Sequence, residues 1–471
     1  MRTEMMLILI IFLLLFWKLG GGGRVQIVQA VVNGGLVLAL LLGFVLSDSG
    51  ELFGHMFRTN DLLRLEKNML VLAALLVSLL ASQWVAAHRH AMEFYLLMIS
   101  TLLGMCFMLS SANLLMFYLG LELASIPLAA MVNFDLQRKQ SAEAAFKMIV
   151  SSAFASGILL FGISWLYGTT GTVDFDSLAT ALTGSPLQVL GVVAVLAGFG
   201  FKMSAVPFHL WTADVYEGAP VPVTAYLSVL SKSAILFVFV SVLYTVFGSM
   251  QQVWYIVICV LAIGSMLVGN LFAMRQQNMK RFLAFSSIAQ VGFILVGVCG
   301  VNATSSAAVV FFLLVYLFSN LGAFAIVQHI SQSTGKETID DYRGLARANP
   351  ALAWLLAIAL FSLAGIPPTA GFFGKFFLLL AGAGKGTWFL IIVAALNMIV
   401  SLYYYLRVVK AMFMETQASR TGGLCGRYFH HGFVWRCLRV YFQPHASVEA
   451  LLLILLFHAV WLSIKIILLK N

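Results

Sequence analysis

Residues 195–240 read VLAGFGFKMSAVPFHLWTADVYEGAPVPVTAYLSVLSKSAILFVFV. The stretch is mostly apolar, yet it carries two lysines, Lys202 and Lys232, and a proline, Pro207, five residues after the first lysine. Proline removes a backbone donor and clashes with the preceding turn, so the apolar run over 187–217 must break there. Within a membrane, the freed carbonyls are tolerated only inside protein or beside water. The stretch therefore predicts a broken membrane helix with a cation at its break.

The rest of the chain has the same character. Of its 471 residues, 61% are hydrophobic and only 10% are charged, where a soluble domain carries about 25% charged residues. The apolar runs are about 20 residues long and do not alternate with polar residues, so they are helices rather than barrel strands. We predict an all-α integral membrane protein of about fourteen transmembrane helices. The segments fall at roughly 5–19, 25–46, 69–87, 92–110, 112–134, 144–168, 187–217, 220–247, 253–273, 281–300, 303–331, 351–382, 387–413 and 447–469.

The basic residues set the orientation. A net charge of +10 could suggest nucleic acid, but lysines and arginines are scattered singly in the connections, which argues against a nucleic-acid partner. Such residues concentrate on the cytoplasmic side of membrane proteins. Connections after even-numbered segments hold four of them: Arg58, Arg64, Lys67 and Lys385. Connections after odd-numbered segments hold 17: Lys18, Arg24, Arg89, Arg138, Lys139, Arg275, Lys280, Arg281, Lys336, Arg343, Arg347, Arg407, Lys410, Arg420, Arg427, Arg436 and Arg439. The odd connections are predicted to be cytoplasmic and both termini periplasmic.

A second break lies five segments after the first. Pro367 and Pro368 interrupt the twelfth segment as Pro207 interrupts the seventh. Two matched breaks five helices apart predict two five-helix repeats, and because five is odd the second is inverted, as in transporters with sites at broken helices. The predicted division is 1–91 (helices 1–3), 92–247 (helices 4–8), 253–413 (helices 9–13), a cytoplasmic connection over 414–446, and 447–471 (helix 14).

Five charged residues stand inside the apolar segments. A charge at mid-bilayer costs about 2.5–3.5 kcal/mol on insertion scales, so such residues are functional candidates. For the lysine that opens the sixth segment, the alternative is a side chain that extends to the headgroups. For the others, the alternative is a structural ion pair. The five are Glu122, Lys147, Lys202, Lys232 and Lys375.

His209 stands two residues past the first break. Because imidazole titrates near neutrality, it could pass a proton between Lys202 and Lys232. The alternative is a packing residue.

Metal and redox chemistry find no support in the cysteines and histidines. The five cysteines include no CxxC pair, so neither a disulfide framework nor a metal cluster is predicted. The paired histidines lie in basic connections without acidic partners. The residues concerned are Cys106, Cys259, Cys299, Cys425, Cys437, His88, His90, His430 and His431.

Five stretches resemble one known family, the antiporter-like membrane subunits of respiratory complex I, a proton-pumping NADH:quinone oxidoreductase. The resemblance covers roughly residues 92–413, and its motifs are long and specific. The stretches are LGLELASIPLAAMV (119–132), EAAFKMIVSSAFASGILLFG (143–162), FGFKMSAVPFHLWTADVYEGAPVPVTAYLSVLSKSAILF (199–237), NMKRFLAFSSIAQVGFILVG (278–297) and SLAGIPPTAGFFGKF (362–376).

The resemblance implies a non-redox subunit that moves protons through a relay of buried residues. The family's fifth-helix glutamate matches Glu122, and its sixth-, seventh- and eighth-helix lysines match Lys147, Lys202 and Lys232. At the twelfth-helix position one relative carries glutamate where this chain has Lys375.

The resemblance also implies the setting of the subunit. No cofactor is expected in this chain, while NAD, FMN, Fe-S clusters and quinone are expected elsewhere in a bacterial inner-membrane complex. Expected partners are an M-type antiporter-like subunit and small K- and J-type subunits. A subunit of a multi-subunit cation/proton antiporter is the alternative. Residues 414–446 match nothing in the family.

Overall fold

The computed structural model describes residues 1–21, 23–45, 49–384 and 388–414. Thirteen of the fourteen predicted segments coincide with helices there. The fourteenth segment, and the 414–446 connection beyond its first residue, lie outside the described residues. The α-helices are α1 (Arg2–Leu19), α2 (Val25–Val45), α3 (Asp61–Ala86), α4 (Ala91–Ser110), α5 (Leu114–Val132), α6 (Lys139–Thr170), α7 (Phe175–Ala181), α8 (Pro186–Met203), α9 (Leu210–Gly218), α10 (Val221–Tyr226), α11 (Lys232–Thr245), α12 (Gln251–Arg275), α13 (Met279–Val298), α14 (Ala303–Thr334), α15 (Leu345–Ala348), α16 (Pro350–Ala364), α17 (Ala370–Ala383) and α18 (Trp388–Phe413).

Smaller elements complete the described chain. Strands β1 (Gly50–Leu52) and β2 (Phe57–Thr59) form an antiparallel hairpin. A π-turn, Leu227–Ser231, joins α10 to α11 in one continuous span, and short 3₁₀ helices cover Gly248–Met250 and Ile339–Tyr342. Eleven helices of the described part are long and apolar enough to cross a membrane. These eleven count α10–α11 as one span and leave out α1 and the pair α16–α17.

The connections sort onto two opposite ends of the helix bundle. Those after the second, fourth and sixth segments meet at one end, and those after the ninth and eleventh meet at the other. This alternation is what the predicted order of spans requires. Isolated β-bridges join Phe57 to Ser111 and Asn113 to Asp174 at the first end, and Asn278 to Thr338 at the second.

One connection was predicted wrongly. The third segment was placed at 69–87, but α3 begins at Asp61, where the Asn60 side chain accepts a hydrogen bond from the Leu63 amide and caps the helix. Lys67 therefore lies inside α3 and not in a connection. Its amine is 2.6 Å from the carboxylate of Glu4 in α1, and both side chains are buried, at 3% and 0% exposure. Each charge is compensated by the other, and removal of one partner of such a pair costs about 3–5 kcal/mol.

The two predicted breaks have the same backbone geometry. α8 ends at Ser204 in the left-handed region (φ 65°), and the Ala205 amide donates to the Gly200 carbonyl at 2.8 Å. α16 ends at Gly365 (φ 84°), and the Ile366 amide donates to the Phe361 carbonyl at 3.0 Å. Each is a Schellman cap, which satisfies carbonyls that would otherwise be left unpaired.

The first break is further satisfied by neighbouring side chains. The Val206 amide donates to the Ser265 hydroxyl of α12 at 2.9 Å, and the Trp211 indole donates across the break to the Phe201 carbonyl at 3.2 Å. The interruption is thereby a fixed part of the fold.

Two helix pairs, α4 with α5 and α12 with α13, pack at backbone distance. A Cβ atom at Gly104 would lie 2.4 Å from the Ala124 nitrogen, and one at Gly269 would lie 2.6 Å from the Ala289 nitrogen. Small residues of this kind let membrane helices approach closely. The same device appears at the start of each predicted five-helix repeat.

The hairpin end of the bundle is fastened by one arginine. Arg58 of β2 donates to Glu51 of β1 at 2.9 Å and also to Asp176 of α7. Its hydrogen bond to the carboxylate is the main reason that the pKa of Asp176 lies below its usual value. Arg58 thereby ties the connection after α2 to the connection after α6.

Candidate functional site

Lys202 lies at the first break and is held by hydroxyl groups. It is the second-last residue of α8, and its amine donates to the Ser125 hydroxyl of α5 and the Ser152 hydroxyl of α6, each at 2.8 Å. The lysine side chain is partly exposed. No carboxylate lies within 4 Å of its amine among the described residues. Its proton can therefore leave without the rupture of an ion pair.

Glu122 of α5 is joined to the same serine cluster. Its carboxylate accepts a hydrogen bond from the Ser156 hydroxyl at 2.5 Å. Ser156 follows Ser152 by one turn of α6, and Ser125 follows Glu122 by one turn of α5, so both helices present their polar residues on one face. Glu122 and Lys202 were both candidates from the sequence, but the three serines that bind them were not.

Lys232 begins α11 directly after the π-turn. Its amine donates to the Ser287 hydroxyl of α13 at 2.5 Å and lies 5.4 Å from the centre of the Tyr216 ring. The residue is 3% exposed. A buried amine with a hydroxyl and an aromatic face as partners has no fixed countercharge.

Lys375 turns back toward the second break. It lies six residues into α17, but its amine donates to the carbonyl of Ala364, the last residue of α16, at 3.1 Å. The residue is 1% exposed and its amine stands 4.6 Å from the Phe293 ring centre. A Cβ at Gly365 would lie 3.0 Å from the Lys375 Cδ. Glycine at this position therefore leaves room for the lysine side chain and also permits the positive φ. The negative end of the α16 dipole favours a cation at this position.

A polar row on α13 separates Lys232 from Lys375. One turn beyond Ser287, the Gln290 amide group donates to the Leu363 carbonyl at 2.8 Å, next to the carbonyl that binds Lys375. Gln290 also donates to the Tyr405 hydroxyl of α18 at 3.1 Å. α13 thus carries polar groups from one lysine to the backbone that holds the other.

His209 lies just past the first break and directly precedes α9. It is 9% exposed, and its Nδ1 atom is buried without a hydrogen-bond partner among the described residues. No direct bond joins it to Lys202 or Lys232 in the described part. An unpaired ring nitrogen at an interrupted helix is where a water molecule could bind.

Lys147 belongs to a different environment. It is 41% exposed, and its amine forms ion pairs with Glu143 and with Asp214 of α9, each at 2.7 Å. Arg281 of α13 pairs with Asp214 at 2.8 Å and with Glu217 at 2.7 Å. Among the described residues the Lys147 amine contacts neither a serine nor a break, so its surroundings differ from those of Lys202, Lys232 and Lys375. The sequence did not reveal its partner Asp214 or the neighbouring Glu217 and Arg281, although Asp214 and Glu217, two acids three residues apart in an apolar chain, are a usable signal.

The basic residue that precedes Arg281 in sequence, Lys280, is fully buried. Lys280, counted in a connection by sequence analysis, lies in the first turn of α13 and pairs with Glu337 at 3.2 Å. Its amine also donates to the Ala219 carbonyl at the end of α9, at 3.3 Å. Together with Arg281 it fastens α13 to the end of the broken helix.

The family model described as NADH:quinone oxidoreductase/Mrp antiporter, TM, matches residues 111–401. A relative called NADH-quinone oxidoreductase subunit N, from Azobacteroides pseudotrichonymphae, is 48% identical over 79% of this chain and 78% of its own length.

Two solved structures are similar to this chain over most of its length. A chain of respiratory complex I from Thermus thermophilus with bound aureothin superposes with a TM-score of 0.78 at 28% identity, over 97% of both chains. A chain of the Mrp complex from Dietzia sp. gives a TM-score of 0.78 at 22% identity, over 88% of this chain and 80% of the other, and shows the fold alone.

Proposed function

The chain belongs to the NADH:quinone oxidoreductase/Mrp antiporter transmembrane family, and we propose that it is the N subunit of a proton-translocating NADH:quinone oxidoreductase. It carries no redox step itself in this proposal. It moves protons through the membrane while NADH oxidation and quinone reduction occur in other subunits, which hold FMN, Fe-S clusters and the quinone.

One observation carries the proposal: three mid-membrane lysines are bound to neutral oxygen atoms. Lys202, Lys232 and Lys375 donate to serine hydroxyls or a backbone carbonyl and not to carboxylates. Removal of a charge from water is costly, so a buried lysine without a countercharge is readily neutralised. Two such lysines, Lys232 and Lys375, together with the partly exposed Lys202 at the first break, suit a relay whose members gain and lose protons.

The proposed route follows the polar contacts. Lys147 stands at the uptake end as a cation held by its acidic partners and does not exchange its own proton. Glu122 acts on Lys202 through the serine cluster. Lys202 passes its proton by way of water near His209 to Lys232. From there the polar row of α13 leads to Lys375 at the second break. Pro207, Pro367 and Pro368 keep the breaks open to water.

Two inverted five-helix repeats, 92–247 and 253–413, underlie this route in the proposal. The matched Schellman caps at Ser204 and Gly365 support it, as do the matched glycine contacts of the first helix pair of each repeat. The 1–91 helices and the 447–471 helix flank the repeats. The charge asymmetry supports a bacterial inner-membrane location with both termini periplasmic. The partners are the M-type antiporter-like and small K- and J-type subunits.

A cation/proton antiporter subunit is the second candidate, because the Mrp chain shares the fold. The 48% identity to a subunit N over four fifths of the chain favours the oxidoreductase. Sodium transport by membranes that lack NADH:quinone reductase would instead favour the antiporter.

Replacement of Glu122 by Gln tests the proposal. We expect proton uptake by NADH-driven vesicles and quinone reductase activity to fall together by about tenfold, a change of about 1.4 kcal/mol. The reason is that the substitution removes the negative charge that acts on Lys202. Native gels would show that the complex still assembles.

Glu143→Gln is the matched control. It removes a glutamate that is 63% exposed. The partner of this glutamate, Lys147, keeps its second ion pair with Asp214. That variant should pump nearly as well as the wild type. Normal pumping by an assembled Glu122→Gln complex would contradict the proposed relay.

A further inference from the structure

Cys259 and Cys299 lie side by side in the fold, although 40 residues separate them in sequence. Cys259 is in α12 and Cys299 caps the end of α13. Their sulfur atoms are 3.7 Å apart, with Cys299 buried and Cys259 partly exposed. A disulfide needs the two atoms to approach to about 2.05 Å, which is within the reach of side-chain rotation and small helix adjustments.

The compartment of this pair follows from the proposed orientation, on which the inference rests. α12 begins and α13 ends at the hairpin end of the bundle, which the charge asymmetry assigns to the periplasm. Disulfides form and persist in the bacterial periplasm and are rare in the cytosol. Two thiols in contact are therefore on the side where oxidation is sustained.

We propose that Cys259 and Cys299 are a modification site that forms a reversible disulfide between α12 and α13. Each thiol loses its hydrogen and one S–S bond forms. The two electrons and two protons pass by thiol–disulfide exchange to a protein disulfide oxidant of the outer compartment, which becomes a dithiol.

The bond would act on the helix that carries the polar row. Two residues before Cys299, a Cβ at Gly297 would lie 2.4 Å from Leu378, so the end of α13 packs directly on the helix of Lys375. The Tyr244 hydroxyl donates to the Val298 carbonyl at 2.7 Å and fixes α11 at the same place. Oxidation would add a covalent link from this point to α12. It would limit any sliding of α13, and with it of Ser287 and Gln290, during turnover.

The test counts thiols in the assembled complex. In a variant with Cys106, Cys425 and Cys437 replaced by Ser, membranes are treated with copper phenanthroline, denatured, and labelled with a polyethylene-glycol maleimide. We expect both thiols to be lost together and to return after dithiothreitol. Variants that keep only Cys259 or only Cys299 should keep their label. A variant with Cys106 and Cys259 alone is the matched control for two thiols that are not in contact, and should also keep both.

Two results would overturn the proposal. Labelling of both thiols after oxidant treatment would show that the sulfur atoms are not within reach. Full labelling of acid-trapped membranes without added oxidant would show that the native protein does not carry the bond. The labelling counts thiols and does not measure turnover, so its outcome does not depend on the outcome of the pumping test. The Glu122→Gln variant should form the disulfide normally even when it does not pump.

Discussion

Lys147, which we call the rim lysine because it is partly exposed, and the buried central lysine Lys232 have opposite kinds of partner. Lys147 is bound by two carboxylates at 2.7 Å, whereas Lys232 is bound by a serine hydroxyl and an aromatic ring. A carboxylate neighbour favours the charged lysine, while a buried site with neutral partners leaves the cost of desolvation unopposed. The rim lysine is thereby fixed as a cation, and the central one is free to exchange its proton.

The ion pair between Lys67 of α3 and Glu4 of α1 is a third case. Lys67 is as buried as Lys232, at 3% exposure, but it lies against Glu4. Burial alone therefore does not mark the relay lysines. The chemical type of the nearest oxygen does, and that difference can be tested by substitution.

The largest effect is expected for Lys375→Arg. Arginine keeps the charge but stays protonated at any accessible pH, so it can replace a structural cation and not a relay lysine. We expect proton uptake by NADH-driven vesicles to fall on the order of 100-fold, the scale of a lost proton-transfer group. Lys147→Arg is the matched control, since its ion pairs survive, and it should pump normally. Full pumping by an assembled Lys375→Arg complex would show that Lys375 is a structural charge. It would also contradict the distinction between lysines fixed as cations and lysines that exchange protons.

A smaller effect is expected when a central lysine is given a rim-type partner. Ser287→Asp places a carboxylate where Lys232 now has a hydroxyl. We expect pumping to fall roughly tenfold, because each tenfold stabilisation of the charged form corresponds to about 1.4 kcal/mol. Ser287→Ala, which removes the hydroxyl without adding a charge, should cost only a few-fold. An aspartate variant that pumps better than the alanine variant would show that Lys232 works as a permanent cation.

The smallest effect is expected for His209→Ala. The residue makes no direct bond to either neighbouring lysine in the described part, so water can fill its place. We expect about a twofold loss of turnover between about pH 6 and about pH 8, because water is a poorer proton relay there than imidazole, which titrates in this range. Turnover would be followed as NADH:quinone reduction from about pH 6 to about pH 8. A variant identical to the wild type over that range would leave His209 as a packing residue.

The helices, the two breaks and the lysines within apolar segments could be predicted from the sequence, because each has a strong local signal. An apolar run of 20 residues, a proline within it and a lone charge are visible without knowledge of the fold. The partners were harder to find. Ser125, Ser152 and Ser156 are ordinary residues in apolar helices, and only the packing of α5, α6 and α8 makes them a cluster.

The errors share a physical origin. Lys67 and Lys280 were assigned to connections because charged residues near an apolar run usually lie outside it. A buried countercharge from a distant helix cancels that rule, and a single sequence does not show which helices meet. Asp214, which binds Lys147, and Arg281, which binds the same carboxylate, escaped notice for the same reason, since they come from α9 and α13.

The π-turn at Leu227–Ser231 has a consequence for the alignment of relatives. A π-turn contains one more residue than an α-turn, so the chain between Pro222 and Lys232 is one residue longer than a regular helix of equal height would need. A relative with a regular helix there would reach the same lysine one position earlier. If its sequence were aligned from Pro222 without a gap, its lysine would fall opposite Ser231, and the relay residue would be counted as missing although it occupies the same place in the membrane.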